Sequence, residues 1–168
     1  MVGRIWLYEV PRTCPNTCLH PYRRTFISLH LLIRPMPRIL IVEDSFSMRA
    51  FVRSALELGG QGLESVEVVE ASSGFDALRL LPRGPYDLVI TDVNMPDING
   101  LELVSFMRQS AQHRDTPVLL ISTQTSDRDR RRGLALGANG YLPKPFSSES
   151  LREEAARQIA RRTHESNG

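Results

Sequence analysis

The stretch LVITDVNMPDING, residues 88–100, decides how the chain is read. Three aliphatic residues and a threonine run straight into Asp92, and a turn-rich segment follows at once. A carboxylate at the end of a buried strand costs free energy unless something there uses its charge. Two other stretches share the pattern. RILIVEDS (38–45) ends its aliphatic run on Glu43 and Asp44, and PVLLISTQ (117–124) ends on Ser122 and Thr123. Three strands that each deliver polar groups at their C-terminal ends point to one shared site.

Working outward, helical patterns separate these runs. After RILIV, Ser45 is placed to cap a helix whose apolar face is Met48, Phe51, Val52, Ala55 and Leu56, stopped by Gly59 and Gly60. VEVVEA (66–71) is expected to be a strand. A short helix around Phe75, Leu78 and Leu81 should stop at Pro82 and Gly84. The third strand is expected over 86–91. A helix after Gly100 carries Leu101, Val104 and Met107, and the fourth strand covers 117–122. A fourth helix runs from near Ser126 to Gly137, a short fifth strand lies within 140–146, and a last helix passes through Leu151, Ala155 and Ile159. Strands alternating with helices give an α/β fold: five βα units, a five-stranded parallel sheet and helices on both faces, doubly wound. In such sheets the site lies outside the carboxyl ends of the strands.

The chain has 168 residues, about one domain's worth. Its net charge of +2 is unevenly spread. Residues 1–37 hold five arginines and one glutamate, while residues 38–168 hold 16 basic and 18 acidic residues. A nearly neutral body argues against nucleic acid as a partner. The first 37 residues hold both cysteines, the only tryptophan and five of the eleven prolines, and no regular period persists there. TFISLHLLI (25–33) is too short to span a bilayer and no small-residue cleavage site follows it, so neither membrane insertion nor secretion is expected. Cys14, Cys18, His20 and His30 fit no common zinc spacing. Met36 opens MPRILIVED like a natural start, so residues 1–35 are expected to be a disordered or mis-assigned extension, 36–162 the domain, and 163–168 a tail. The body has no cysteine, which suits a reducing cytoplasm.

Bringing Glu43, Asp44 and Asp92 together creates a cluster that a hard divalent cation would relieve. Mg²⁺ prefers a few oxygen ligands and often shares its shell with phosphate. Asn94 adds a backbone carbonyl in the turn after Asp92. An aspartate can accept a phosphoryl group as an acyl phosphate, and transfer needs charge neutralised on the phosphoryl oxygens. Ser122 offers a hydroxyl and Lys144 a cation. Lys144 is the only lysine beside 20 arginines, so its place at a strand end suggests a need for a compact ammonium.

VEDS, TDVNMPDINGLEL, LLIST and GANGYLPKPF, in this order, resemble the receiver domain of bacterial two-component response regulators, most closely the stand-alone chemotaxis type. The resemblance covers residues 38 to about 161. It implies a flavodoxin-like sheet of order 2-1-3-4-5. It also implies roles: Asp92 as phosphoacceptor, Asp44 as a direct Mg²⁺ ligand, Glu43 as a ligand through water, and Asn94 as a carbonyl ligand. Ser122 and Lys144 would contact the phosphoryl oxygens, and Tyr141 would be the aromatic switch coupled to Ser122. The implied function is that of a regulatory phosphoacceptor, not an enzyme in its own right. Its implied partners are a sensor histidine kinase or phosphotransfer protein, which docks on the first helix, and a downstream protein reached through helix four, strand five and helix five. Ser122 stands where threonine is commoner, Thr123 where a smaller residue is frequent, and Gln124 where some chemotaxis relatives carry an acid. These departures bear on the dephosphorylation rate.

Two other readings compete. A small flavodoxin-like ligand-binding protein would need a phosphate loop, and EDSFSMR contains no glycine. A phosphorylation-independent docking module would have no need of the full set of acids, serine and lysine. A DNA-binding output domain is not expected, because seven residues follow position 161. The Lys144–Pro145 bond is expected to be cis, aiming the ammonium into the site as the resemblance implies. The arginines of helices four and five suggest a basic surface for an acidic partner.

Overall fold

A computed structural model describes residues 36–60, 63–124 and 126–165 of the chain. The expectations for residues 1–35, including the cysteine and histidine set, lie outside the described residues, as do those for most of the 163–168 tail.

Five strands form one parallel sheet: β1 (Arg38–Val42), β2 (Glu67–Ala71), β3 (Leu88–Asp92), β4 (Val118–Ser122) and β5 (Gly140–Pro143). Their order is β2-β1-β3-β4-β5, as expected. The helices are α1 (Phe46–Glu57), α2 (Gly74–Leu80), α3 (Gly100–Gln109), α4 (Asp127–Ala135) and α5 (Ser148–Glu165). Pro82 does not simply stop α2; it sits inside a 3-10 turn, Leu81–Arg83, where the missing N–H is harmless. Strand β3 starts two residues later than expected. Tyr86 is instead fully buried ahead of the strand, where its hydroxyl donates to the Leu80 carbonyl (2.9 Å). Helix α5 continues past Ile159 to Glu165, since its polar last turns contain no breaker.

The runs read as continuously aliphatic because both faces of the sheet are covered. Alternate residues serve opposite layers. Ile39 and Ile41 join Val52, Leu56, Leu151 and Ala155 under α1 and α5. Leu40 and Val42 join Ala77, Leu103, Val104 and Met107 under α2 and α3.

Register brings the carboxyl ends of the strands level. Val42 pairs with both Ala71 and Thr91, Asp92 with Ile121, and Ser122 with Pro143. The ladder also runs one residue past three of these strands. Glu43 N–H donates to Ala71 (3.2 Å), Val93 N–H to Ile121 (2.9 Å) and Lys144 N–H to Ser122 (2.7 Å). Glu43, Asp92, Ser122 and Lys144 are therefore fixed by the sheet, while Asp44 and Asn94 follow in the loops that leave it. Gly84–Pro85 and Lys144–Pro145 are both cis; only the second was anticipated.

Candidate functional site

Glu43, Asp44 and Asp92 meet at this sheet edge, and one carboxylate oxygen from each lies within 4.8 Å of the other two. Glu43 and Asp92 are buried, whereas Asp44 is exposed. Lys144 Nζ donates to Glu43 Oε2 (2.9 Å) and lies 3.3 Å from Asp92 Oδ1. That second contact is an ion pair without hydrogen-bond alignment, so Asp92 Oδ1 is buried with no hydrogen-bond partner. Burial pushes the Glu43 carboxyl up from its ordinary range; the Lys144 bond opposes this, and the nearby Asp92 charge adds to it.

The formal sum is three carboxylates against one ammonium, an uncompensated excess of negative charge at a largely buried edge. An orphaned, buried carboxylate oxygen beside two further oxygen donors suits a hard cation such as Mg²⁺. The residues present fit that ion.

The β4 end contributes a second set. Ser122 is fully buried, and its hydroxyl oxygen accepts from Gln124 N–H (3.0 Å). Asn94 is exposed, and its side-chain amide donates to Thr123 Oγ1 (3.2 Å) while its amide oxygen accepts from Gln124 Nε2 (3.4 Å). Tyr141 is half-buried and donates its hydroxyl proton to the Gln124 carbonyl (2.6 Å). All seven sequence-predicted residues thus gather at this edge. Beyond them, a groove of about 760 Å³ runs from Asp44 and Asn94 past Pro96 and Leu101 to Arg132 and Leu136.

Two residues of the surroundings escaped the sequence reading. Arg49 on α1 donates to the Glu43 carbonyl (2.6 Å) and so braces the acid pair. Asp97 accepts from the N–H groups of Gly74 (3.2 Å) and Phe75 (3.1 Å), tying the loop after Asp92 to α2. An arginine among twenty, or an acid in a turn, carries no sequence signal of its own; only the spacing of Arg49 six residues after Glu43, on the helix that leaves the site, offered a hint.

Residues 39–156 match the family model of the response regulator receiver domain. The chain belongs to that family. It is a CheY-like receiver domain of the two-component systems, and its fold is the one such relatives share. It is 34% identical over 118 residues to a chemotaxis protein CheY homolog of Campylobacter jejuni, covering 70% of this chain and 88% of the relative. It is 38% identical over 129 residues to the transcriptional regulatory protein CpxR of Escherichia coli, covering 77% of this chain but 51% of that protein. Among solved structures, the chemotaxis protein CheY4 of Vibrio cholerae is similar at a TM-score of 0.67 and 37% identity, over 73% of this chain and 98% of that one. No helix of the described residues is long and apolar enough to cross a membrane.

Proposed function

We propose that the receiver, residues 36–162, accepts a phosphoryl group on Asp92 and signals by phosphorylation-dependent protein binding. The observation that carries this reading is Asp92 itself. It is a buried carboxylate at a strand end, flanked by an acid pair and by the only lysine, with one oxygen unsatisfied. An Asp92 oxygen attacks the phosphorus of a phosphohistidine, an O–P bond forms, and the N–P bond breaks with its electron pair leaving on the imidazole. The Lys144 ammonium and the Ser122 hydroxyl are placed to take up charge on the phosphoryl oxygens. Asp44, Asp92 and the Asn94 carbonyl would hold Mg²⁺, with Glu43 acting through water, and the ion would supply positive charge against that on the phosphoryl oxygens. Water later attacks the phosphorus, the Asp92 O–P bond breaks with its electron pair returning to the carboxylate, and inorganic phosphate leaves. The chain assists both steps on itself and is a regulatory phosphoacceptor, not an enzyme with an external substrate.

The donor is a cytoplasmic sensor histidine kinase or phosphotransfer protein. The signal leaves through Ser122 and Tyr141 toward α4, β5 and α5. Ser122 Oγ accepts from Gln124 N–H and the Tyr141 hydroxyl donates to the Gln124 carbonyl, so hydroxyl and ring are tied to one residue. One local charge therefore pulls on the segment that orients the aromatic ring. Arg128, Arg130, Arg131 and Arg132 of α4 are all exposed, and their charge favours an acidic target.

Incubation with acetyl phosphate and Mg²⁺ should add the mass of one phosphoryl group, and Asp92→Asn should remain unlabelled. Undiminished labelling of that variant would move the site elsewhere. Beryllofluoride should shift amide resonances from 126 to 160; shifts confined to the surroundings of Asp92 would rule out output through this face.

A further inference from the structure

The loop between β3 and α3 carries Asn94, whose carbonyl the reading above assigns to the metal site. This loop is gripped at both ends by close backbone approaches. A Cβ on Gly100 would lie 2.3 Å from the Asp92 carbonyl oxygen, and one on Gly74 would lie 2.3 Å from that of Ile98. Between these points Met95 and Ile98 are buried and Asp97 is exposed. Asp97 turns its carboxylate onto the first turn of α2, Oδ1 accepting from Gly74 N–H and Oδ2 from Phe75 N–H.

That arrangement satisfies two of the N–H groups at the start of α2 that have no partner within the helix. Gly74 and Phe75 donate to Asp97, Asp76 donates to Ser73 Oγ (3.1 Å), and Ala77 donates to the Ser73 carbonyl (3.0 Å). Ordinarily the residue just before a helix caps it; here half the task falls to a carboxylate 22 or 23 residues later in the chain. The Phe75 N–H, with those of Ile98 and Gly74 and the Ser73 hydroxyl, holds the Asp97 carboxyl down at about 2, so it is ionised wherever the protein is folded and working. A charge facing a helix N-terminus is also favoured by the dipole.

We propose that Asp97 is a positioning residue for the phosphoacceptor centre: by pinning the β3–α3 loop to the first turn of α2, it sets where Asn94 presents its carbonyl. The inference rests on the phosphoacceptor reading. Its chemistry is that of an outer partner that fixes a ligand's orientation, a role whose loss costs about 10-fold or more in metal affinity. Since Asp97 is exposed and fills no core space, its removal should loosen the loop and leave the fold in place.

The test is Mg²⁺ titration of the full chain, followed by calorimetry and by amide resonances of Gly74 and Phe75. Asp97→Ala should bind Mg²⁺ about 10-fold more weakly, and its labelling by acetyl phosphate should recover at saturating Mg²⁺. Asp97→Asn keeps one acceptor oxygen and should lose less. Asp76→Ala is the control: it removes a bond to Ser72 N–H at the same turn without touching the loop, and should bind Mg²⁺ like the parent. Parent-like affinity in Asp97→Ala overturns the inference, as does an equal loss in Asp76→Ala, which would assign the effect to α2 alone. A parent chain that binds no Mg²⁺ and takes no label overturns the phosphoacceptor reading, and this inference with it.

Discussion

Helices α4 and α5 lie on opposite faces of the same sheet edge and are held in opposite ways. Helix α5 has 18 residues and buries Leu151, Glu154, Ala155 and Gln158. Leu151 and Ala155 enter the core, while Gln158 donates to Glu154 and to the Asn139 carbonyl. Helix α4 has nine residues and buries one, Gly133. What holds α4 lies mostly at its ends: Ser126 caps Asp129 N–H, and its C-terminal turn leads to Gly137, whose carbonyl is gripped by Arg108. Packing is cheap to keep and costly to undo, whereas end contacts release one at a time. The helix beside Tyr141 is therefore the one that can shift at small cost, while α5 supplies the fixed frame against which a shift is read.

That contrast can be broken most directly by truncating one leucine on each helix. Leu151 is fully buried, so Leu151→Ala should cost about 3 kcal/mol by the loss of burial and the cavity left behind. Leu134 is 39% exposed, so Leu134→Ala should cost less than about 0.5 kcal/mol. Urea unfolding of both variants decides it, and equal costs would mean that α4 is as deeply anchored as α5.

Arg108 is the next handle. Its guanidinium donates to the Gly137 carbonyl twice (2.9 and 2.7 Å), to Asn139 Oδ1 (2.9 Å) and to the Thr116 carbonyl (3.0 Å), with a longer bond to His113 (3.4 Å). One side chain thus joins the end of α3, the following loop and the turn after α4. Arg108→Ala should cost about 2 kcal/mol, since charged hydrogen bonds are worth more than neutral ones and several carbonyls lose their partner together. Hydrogen exchange should show the loss concentrated in α4 and in residues 113–118, with α5 unaffected.

These two anchors differ in how visible they were beforehand. The strands and six of the site residues were legible because strand ends are marked in the sequence: an aliphatic run that stops on a carboxylate or hydroxyl says where chemistry is delivered; the sheet order and the part given to Tyr141 came from the resemblance to receiver domains. The cis Lys144–Pro145 bond was implied by the same resemblance, whereas nothing pointed to Gly84–Pro85. Arg108 and Asp97 were hidden because their meaning lies in partners 22 to 31 residues away. No periodicity encodes a bond from a side chain to a distant carbonyl. Helix α4 read as an ordinary helix, and only its burial shows how lightly it rests on the sheet.

His113 makes the anchoring of the α4 side sensitive to acid. It is buried in the α3–β4 loop with Nε2 unpartnered, and burial lowers its pKa below the ordinary value. The neutral form is favoured in the folded chain, while the unfolded chain takes a proton near pH 6.5. Above that pH the group has no effect on stability. As pH falls below it, the unfolded state binds more protons and stability drops until the lowered folded pKa is passed. His113→Gln should flatten that part of the curve between thermal scans at pH 7 and pH 5. An unchanged slope would show that His113 is protonated without penalty.

A substitution on α4 with a small expected effect on stability is the most informative about signalling. Gly133 is the one point where α4 meets the core, and a Cβ there would lie 2.6 Å from Leu120 Cδ1 and 3.7 Å from Tyr141 Cδ2. Alanine would gain about 1 kcal/mol in helix propensity over glycine. Against this stands the overlap with Leu120, which is fully buried and has little room to turn, at a cost of about 1 to 3 kcal/mol if nothing else moves. A helix held mainly at its ends can relieve that overlap by lifting from the sheet, so Gly133→Ala should lose less than about 1 kcal/mol overall. The lift should instead appear in the ring resonances of Tyr141 and in the amides of α4, with those of α5 in place. If Gly133→Ala leaves Tyr141 unmoved, or costs the full overlap energy, then α4 does not slide on its glycine, and a signal from Ser122 would have to reach the surface through β5 alone.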